Sequence, residues 1–152
     1  MKKLRKIAAV MAVMIMAVCF IAACGKPQSL SGTMTLVIGT ETPAVYTVDL
    51  DNVEITKGVF SVLEYLKETE ELDYAVEEST FGAFLTKVGA IEQDSASGTY
   101  IYIYTSVEKD FDVSAYVMTI EYDGTTLKSS GLGVSEMTIE KDCIIYIGTI
   151  AF

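Results

Sequence analysis

Three tyrosines alternate along one short stretch, Tyr100, Tyr102 and Tyr104, with Ile101 and Ile103 between them. Residues spaced by two share one face of an extended strand. The three phenols therefore form one row, and the two isoleucines form the other. A flat row of phenols can stack on sugars, peptides or planar cofactors while its hydroxyls stay wet. The plainer reading is that tyrosine favours strands and pairs across them. Carboxylates are the other abundant chemical group. Glu108, Asp110 and Asp112 fall in one short loop, and oxygen donors suit hard cations. Their spacing is not that of an EF-hand, because its glycine and closing glutamate are missing, so a solvated loop is the expectation.

The chemistry that the sequence excludes is as informative. The chain has no histidine. A Ser-His-Asp triad, a Cys-His pair and a His-bearing zinc motif therefore all fall away. Gly131-Leu132-Gly133 is a lone GxG with no Lys-Ser/Thr after it, so it is not a phosphate loop. No two carboxylates are visibly paired as glycoside hydrolysis requires. A non-enzymatic role is expected, with no metal site and no obligatory cofactor. A carboxylate-based hydrolase is the least favoured alternative.

The chain begins Met1-Lys2-Lys3-Leu4-Arg5-Lys6, continues with an apolar run over residues 7–23, and reaches Cys24-Gly25. A basic start, an apolar middle and a small-residue end are the layout of a secretory signal. Ile21-Ala22-Ala23-Cys24 resembles the lipobox of bacterial lipoproteins. That resemblance implies cleavage before Cys24 and acylation of its thiol, palmitate being one such acyl chain. The expected partner is thus the membrane, reached through lipid on Cys24, with the domain on the extracytoplasmic face. The competing reading is a retained transmembrane helix, for which the run is at the short limit.

Cleavage removes Lys2, Lys3, Arg5 and Lys6. Of 11 Lys and Arg, seven then remain against 21 Asp and Glu, a formal charge of −14. So acidic a surface repels nucleic acid and anionic head groups, and nucleic acid is excluded as a partner. Cys143 is left as the one thiol besides Cys24, so the core must hold without a disulfide. Flanked by Ile144 and Ile145, it reads as a small buried apolar residue.

The elements that must position the tyrosines follow from periodicity. Residues 25–32 form a short polar linker. Residues 33–38 and 44–50 read as strands. Val59, Val62, Leu63 and Leu66 form one apolar stripe, which predicts a helix over about 58–70. Thr56 is its expected N-cap, Ser61, Glu64, Lys67 and Glu68 its wet side, and Glu64 with Lys67 a stabilising pair. Further strands are expected at 72–77, 84–91, 100–105 and 116–122. The strand over 84–91 carries Gly89 as a bulge or turn. Asp123-Gly124 predicts a hairpin turn returning through 125–128. Residues 137–140 read as short and extended. Residues 143–152 are nearly all apolar and fit a central strand covered on both faces, or one ending a barrel-like sheet. The isoleucine face of 100–104 is expected to meet the helix, leaving the tyrosines half-wet.

The order of these parts resembles a known family. The stretches that carry it are Thr56-Lys57-Gly58-Val59-Phe60-Ser61-Val62-Leu63-Glu64-Tyr65-Leu66, Phe84-Leu85-Thr86-Lys87-Val88-Gly89-Ala90-Ile91, Gly98-Thr99-Tyr100-Ile101-Tyr102-Ile103-Tyr104, and Ile139-Glu140-Lys141-Asp142-Cys143-Ile144-Ile145-Tyr146. Together they resemble the transcobalamin-like C-terminal domain, common on lipoproteins and surface proteins of Gram-positive bacteria. The likeness covers residues 53–152. Tyr100 stands where that family often has Trp, Thr105-Ser106 replaces Asn-Gly, and Glu140-Lys141-Asp142 replaces Asp-Gly-Asp. The resemblance implies an α+β fold, a β-grasp-like mixed sheet with one main helix across it, filling residues 33–152. It also implies a corrinoid as one ligand class, since such a domain closes over the corrinoid in animal cobalamin carriers.

The functional expectation is a lipid-anchored, extracytoplasmic binding module for a corrinoid, glycan or peptide, with Tyr100, Tyr102 and Tyr104 as candidate ligand contacts. The alternative is a structural or adaptor lipoprotein that binds another envelope protein. The anchor has a direct check. Cys24→Ala is expected to abolish incorporation of labelled palmitate. A wild-type chain that keeps residues 1–23 and takes up no label would instead be held by a plain membrane helix.

Overall fold

The structure is a computed structural model and describes residues 30–151. The apolar run at 7–23 and Cys24 lie outside the described residues. The elements run β1 (Thr33–Ile38), β2 (Ala44–Asp49), α1 (Gly58–Thr69), β3 (Tyr74–Ser79), β4 (Gly82–Val88), β5 (Ile91–Glu92), β6 (Thr99–Thr105), β7 (Thr119–Tyr122), β8 (Thr125–Ser129) and β9 (Ile144–Ala151). Short 3-10 turns occupy Leu50–Asn52 and Glu108–Asp110. The larger sheet has the order β2-β1-β9-β6-β8-β7, and a smaller antiparallel sheet has the order β3-β4-β5. In the larger sheet β1 and β9 run parallel, and the other pairs are antiparallel. This is the α+β, mixed-sheet, single-main-helix architecture that the periodicity and the resemblance predict.

The helix forms where its stripe can be buried. Val59, Val62, Leu63 and Leu66 are 0–3% exposed and join Leu36 and Ile38 of β1, Ile103 of β6, and Ile145 and Ile147 of β9 in one core. Leu85 and Val88 of β4 enter the same core, so α1 and the smaller sheet cover one face of the larger sheet together. Isolated helices of this length are marginal, so α1 depends on that burial.

Several local expectations are corrected. Thr56 does not cap the helix; Lys57 occupies the N-cap and makes no side-chain cap bond. Instead Ser61 turns its hydroxyl back to accept from the Thr56 and Lys57 amides at 3.1 and 2.9 Å. That task takes Ser61 off the wet side and leaves it 4% exposed. Lys67 lies over the Tyr74 ring, 5.1 Å from its centroid. The strand expected at 72–77 begins two residues later, because Leu72 closes the helix. Its amide and that of Glu70 both donate to the Leu66 carbonyl, with Glu71 left-handed at φ 57° between them. The stretch 84–91 is two strands, β4 and β5, since Gly89 turns the chain between them.

At the C-terminal end, only Thr119–Tyr122 of the expected 116–122 strand pairs, and Tyr116 is exposed. Asp123 and Gly124 make the hairpin turn as predicted, both at positive φ. Residues 137–140 join neither sheet, yet they bury Met137 and Ile139 in the core. β9 is central, as its composition predicts, between β1 and β6. Only its inner face is fully covered: Ile145 and Ile147 are 0% exposed, while Ile144 and Tyr146 on the outer face are half-buried. Cys143 is buried as expected, and burial pushes its thiol above the ordinary value.

Gly133 shows why the lone GxG is there. A Cβ on it would lie 2.6 Å from the Ala83 carbonyl oxygen. Without that Cβ, Gly133 and Val134 donate to the carbonyls of Phe81 and Ala83, and Val134 accepts from the Phe60 amide. The segment thus ties β4 to the start of α1. Ser61→Ala is expected to lower stability by about 1–2 kcal/mol, the usual cost of a lost helix cap. Urea unfolding checks it, with the midpoint falling and the slope unchanged.

Candidate functional site

The tyrosine strand sits between two surroundings. β6 pairs with β9 along its length, with Tyr100, Tyr102 and Tyr104 opposite Ile150, Gly148 and Tyr146. Ile103 enters the core and Ile101 packs against it, so the isoleucine side faces inward as predicted. The tyrosine row is graded rather than uniformly half-wet. Tyr100 is 39% exposed, and Tyr104 is 8% exposed.

Tyr104 is buried because other rings crowd it. Its ring centroid lies 6.4 Å from that of Tyr102 and 6.2 Å from that of Tyr146, which in turn lies 5.7 Å from that of Tyr122. Tyr146 lies across Gly39, where an added Cβ would overlap its phenol oxygen. These rings cover the outer face of the larger sheet, opposite the helix. Burial raises the Tyr104 phenol above its ordinary 10.0, and neighbouring Tyr102 and Tyr146 add to the shift.

Tyr100 and Tyr102 reach a second place, a cleft of about 460 Å³ along the free edge of β6. Phe84 from β4, Asp112, and Leu132 from the loop after β8 wall it with them. The structure therefore divides the predicted row: Tyr100 and Tyr102 line the cleft, while Tyr104 packs into the outer ring cluster. Phe84 and Leu132 carry no motif, and only the folded topology brings them here. Tyr146 carried no such signal either, since its strand is nearly all apolar and does not alternate as β6 does.

The acidic loop comes apart. Asp110 is 3% exposed and accepts from the Thr138 amide and hydroxyl, so it is a buried anchor for 137–140 rather than part of a solvated loop. Asp112 accepts from the Ser114 amide and hydroxyl, each at 2.8 Å. Glu108 stays exposed. Among the described residues, no group of three or more His, Cys, Asp or Glu is placed to hold a metal ion.

No family model matches the sequence, and no curated protein matches it. Solved structures do. A protein from Ruminococcus gnavus ATCC 29149, provisionally assigned as metal binding, superposes with a TM-score of 0.52 at 14% identity, over 80% of this chain and 99% of that one. Haptocorrin in complex with Cbi superposes with a TM-score of 0.58 at 10% identity, over 86% of this chain but 28% of haptocorrin. At these identities the likeness establishes the fold, which is transcobalamin-like. The first is described as metal binding, and the second was solved with Cbi bound.

The raised Tyr104 phenol has a pH consequence. In the unfolded chain it releases its proton near 10, before the folded chain does. Its contribution to stability is therefore complete below pH 10 and is lost as pH rises through the folded value. Alkaline denaturation followed by circular dichroism is expected to show this loss, and Tyr104→Phe is expected to make it shallower.

Proposed function

We propose that this chain is a lipid-anchored, extracytoplasmic ligand-binding module whose ligand seats in the cleft beside β6. The observation that carries the reading is the cleft itself. Its volume of about 460 Å³ falls in the range of small-molecule sites, and its wall combines aromatic and aliphatic side chains with a few polar groups. Two structural neighbours, one described as metal binding and one solved with Cbi bound, support the class. Lipid on Cys24 would hold the module at the membrane, and the polar stretch 25–32 would lift it clear. A corrinoid, a glycan or a peptide are the ligand classes considered. The first enters through the resemblance and through the haptocorrin likeness alone. Among the described residues lining the cleft, Asp112 is the one carboxylate. A two-carboxylate hydrolase therefore lacks its second group there.

A second reading, an adaptor that binds another envelope protein, has its own support. Phe81, Val113 and Tyr116 are 64%, 99% and 85% exposed. Val113 and Tyr116 stand on one segment between Phe111 and β7, and an apolar patch there would suit a protein contact.

A thermal-shift screen against corrinoids, glycans and peptidoglycan fragments separates the two. A ligand at 100 times its dissociation constant adds about 2.7 kcal/mol to stability. A stabilising ligand whose effect disappears in Tyr102→Ala is the expected result. A silent screen, with crosslinking to a protein on the cell surface, would favour the adaptor.

A further inference from the structure

The cleft is bordered by backbone as well as side chains. On β9, the carbonyls of Cys143 and Ile147 accept from β1-side amides, those of Thr35 and Gly39, while the Ile144 carbonyl accepts from Ser106 at 3.0 Å. Even-numbered residues of β9 thus point to β6, opposite Tyr100, Tyr102 and Tyr104. Backbone groups alternate sides along a strand, so Thr99, Ile101 and Ile103 aim theirs away from β9. Thr99 exchanges both bonds with Asp94, each at 2.9 Å, and the Ile103 carbonyl accepts from Ser130 at 2.8 Å. Ile101 lies between these two closures. Its amide and carbonyl point into the cleft, and no other described residue bonds them on that side. Paired backbone groups are the rule in folded chains, so an open pair beside an aromatic cleft is a recognition element.

We infer that the cleft's ligand is a short extended peptide, neutral or basic, which adds one residue to the sheet by pairing with the Ile101 amide and carbonyl. This inference rests on the binding-module reading and specifies its ligand. Thr99 to Ile103 spans about 13 Å at ~3.3 Å per residue, room for about three ligand residues between the closures. The central ligand residue would share a face with Ile101 and meet Leu132. Its neighbours would fall on the side of Tyr100 and Tyr102. Charge sets the rest of the preference. Asp112 is the one ionic side chain among the described lining residues, no lysine or arginine balances it, and the whole chain carries a net charge of −10.

Three capped peptides test this with the full-length chain in detergent: acetyl-Lys-Leu-Lys-methylamide, the same peptide N-methylated at Leu, and acetyl-Glu-Leu-Glu-methylamide. In the free protein, the Ile101 amide is expected to exchange its hydrogen faster than those of Ile145 and Ile147. The first peptide is expected to slow that exchange at least tenfold. N-methylation, which removes the amide that reaches the Ile101 carbonyl, is expected to weaken binding at least tenfold. The Glu peptide is expected to bind at least tenfold more weakly than the Lys peptide, and Asp112→Asn to shrink that difference. Equal binding of the N-methylated peptide would overturn the inference, as would an Ile101 amide already as protected in the free protein as Ile145. A corrinoid or glycan that binds in a Tyr102-dependent way, with all three peptides inert, would overturn the peptide and leave the binding module standing. Inert peptides together with a silent ligand screen would overturn both.

Discussion

The parallel pairing of β1 with β9 is the constraint on which the rest of the structure depends. Thr35 to Ile38 lie beside Ile144 to Ile147, so the two ends of the described chain meet in the middle of the sheet. Between β2 and β6 the chain leaves this sheet for α1 and the smaller sheet, and then returns. Closing so long a loop costs chain entropy before any contact offsets it. The compensation is apolar: Leu36, Ile38, Ile145 and Ile147 are all 0–2% exposed, and they form the floor on which α1 rests. At about 25 cal/mol per Å² of apolar surface removed from water, such a floor is the natural source of the missing stability, given that no disulfide joins the described residues.

That central pair also fixes what the two faces of the sheet can be. Once β9 lies between β1 and β6, its odd residues face the helix and its even residues face away. Tyr146 is therefore driven to the outer face, into register with Tyr104. Helix and smaller sheet both cover the inner face, which leaves the outer face to cover itself. It does so with rings: Tyr102, Tyr104, Tyr146 and Tyr122 pack in a chain of tilted and T-shaped contacts, and Gly39 gives Tyr146 the space to lie across it. Tyrosine suits this task because its ring shields the sheet while its hydroxyl can remain in water.

The parts of the fold that were legible in the sequence are those where one periodicity dominates. The stripe of Val59, Val62, Leu63 and Leu66 could only be a helix, and Asp123-Gly124 could hardly be anything but a hairpin turn. Errors arose where a polar side chain took a tertiary task. Ser61 reads as a surface residue until the amides of Thr56 and Lys57 need an acceptor. Asp110 reads as a solvated charge until Thr138, far away in sequence, needs one. Leu72 reads as strand, but the end of α1 claims it. For the site, the row of Tyr100, Tyr102 and Tyr104 was visible. Its division between a cleft and a ring cluster was not, because Phe84, Leu132 and Tyr122 arrive from elements with no sequence relation to it.

The cleft itself follows from a failure of two sheets to merge. β8 pairs with β6 at only two positions, Tyr104 with Ser129 and Thr105 with Lys128. It reaches one step further, where the Ser130 amide donates to the Ile103 carbonyl, and stops there. The chain beyond Ser130 is then drawn to β4, where Gly133 and Val134 bond Phe81 and Ala83. At the other end, Asp94 closes on Thr99 just after β5. β6 is thus held at both ends of one edge by different segments, with Ile101 between them. A substitution that only changed the aromatic wall would alter what the cleft prefers. Removing the cleft would require β8 to continue along β6, and that would need a different path from Ser130 to α1 in place of the bonds that Gly133 and Val134 make to β4.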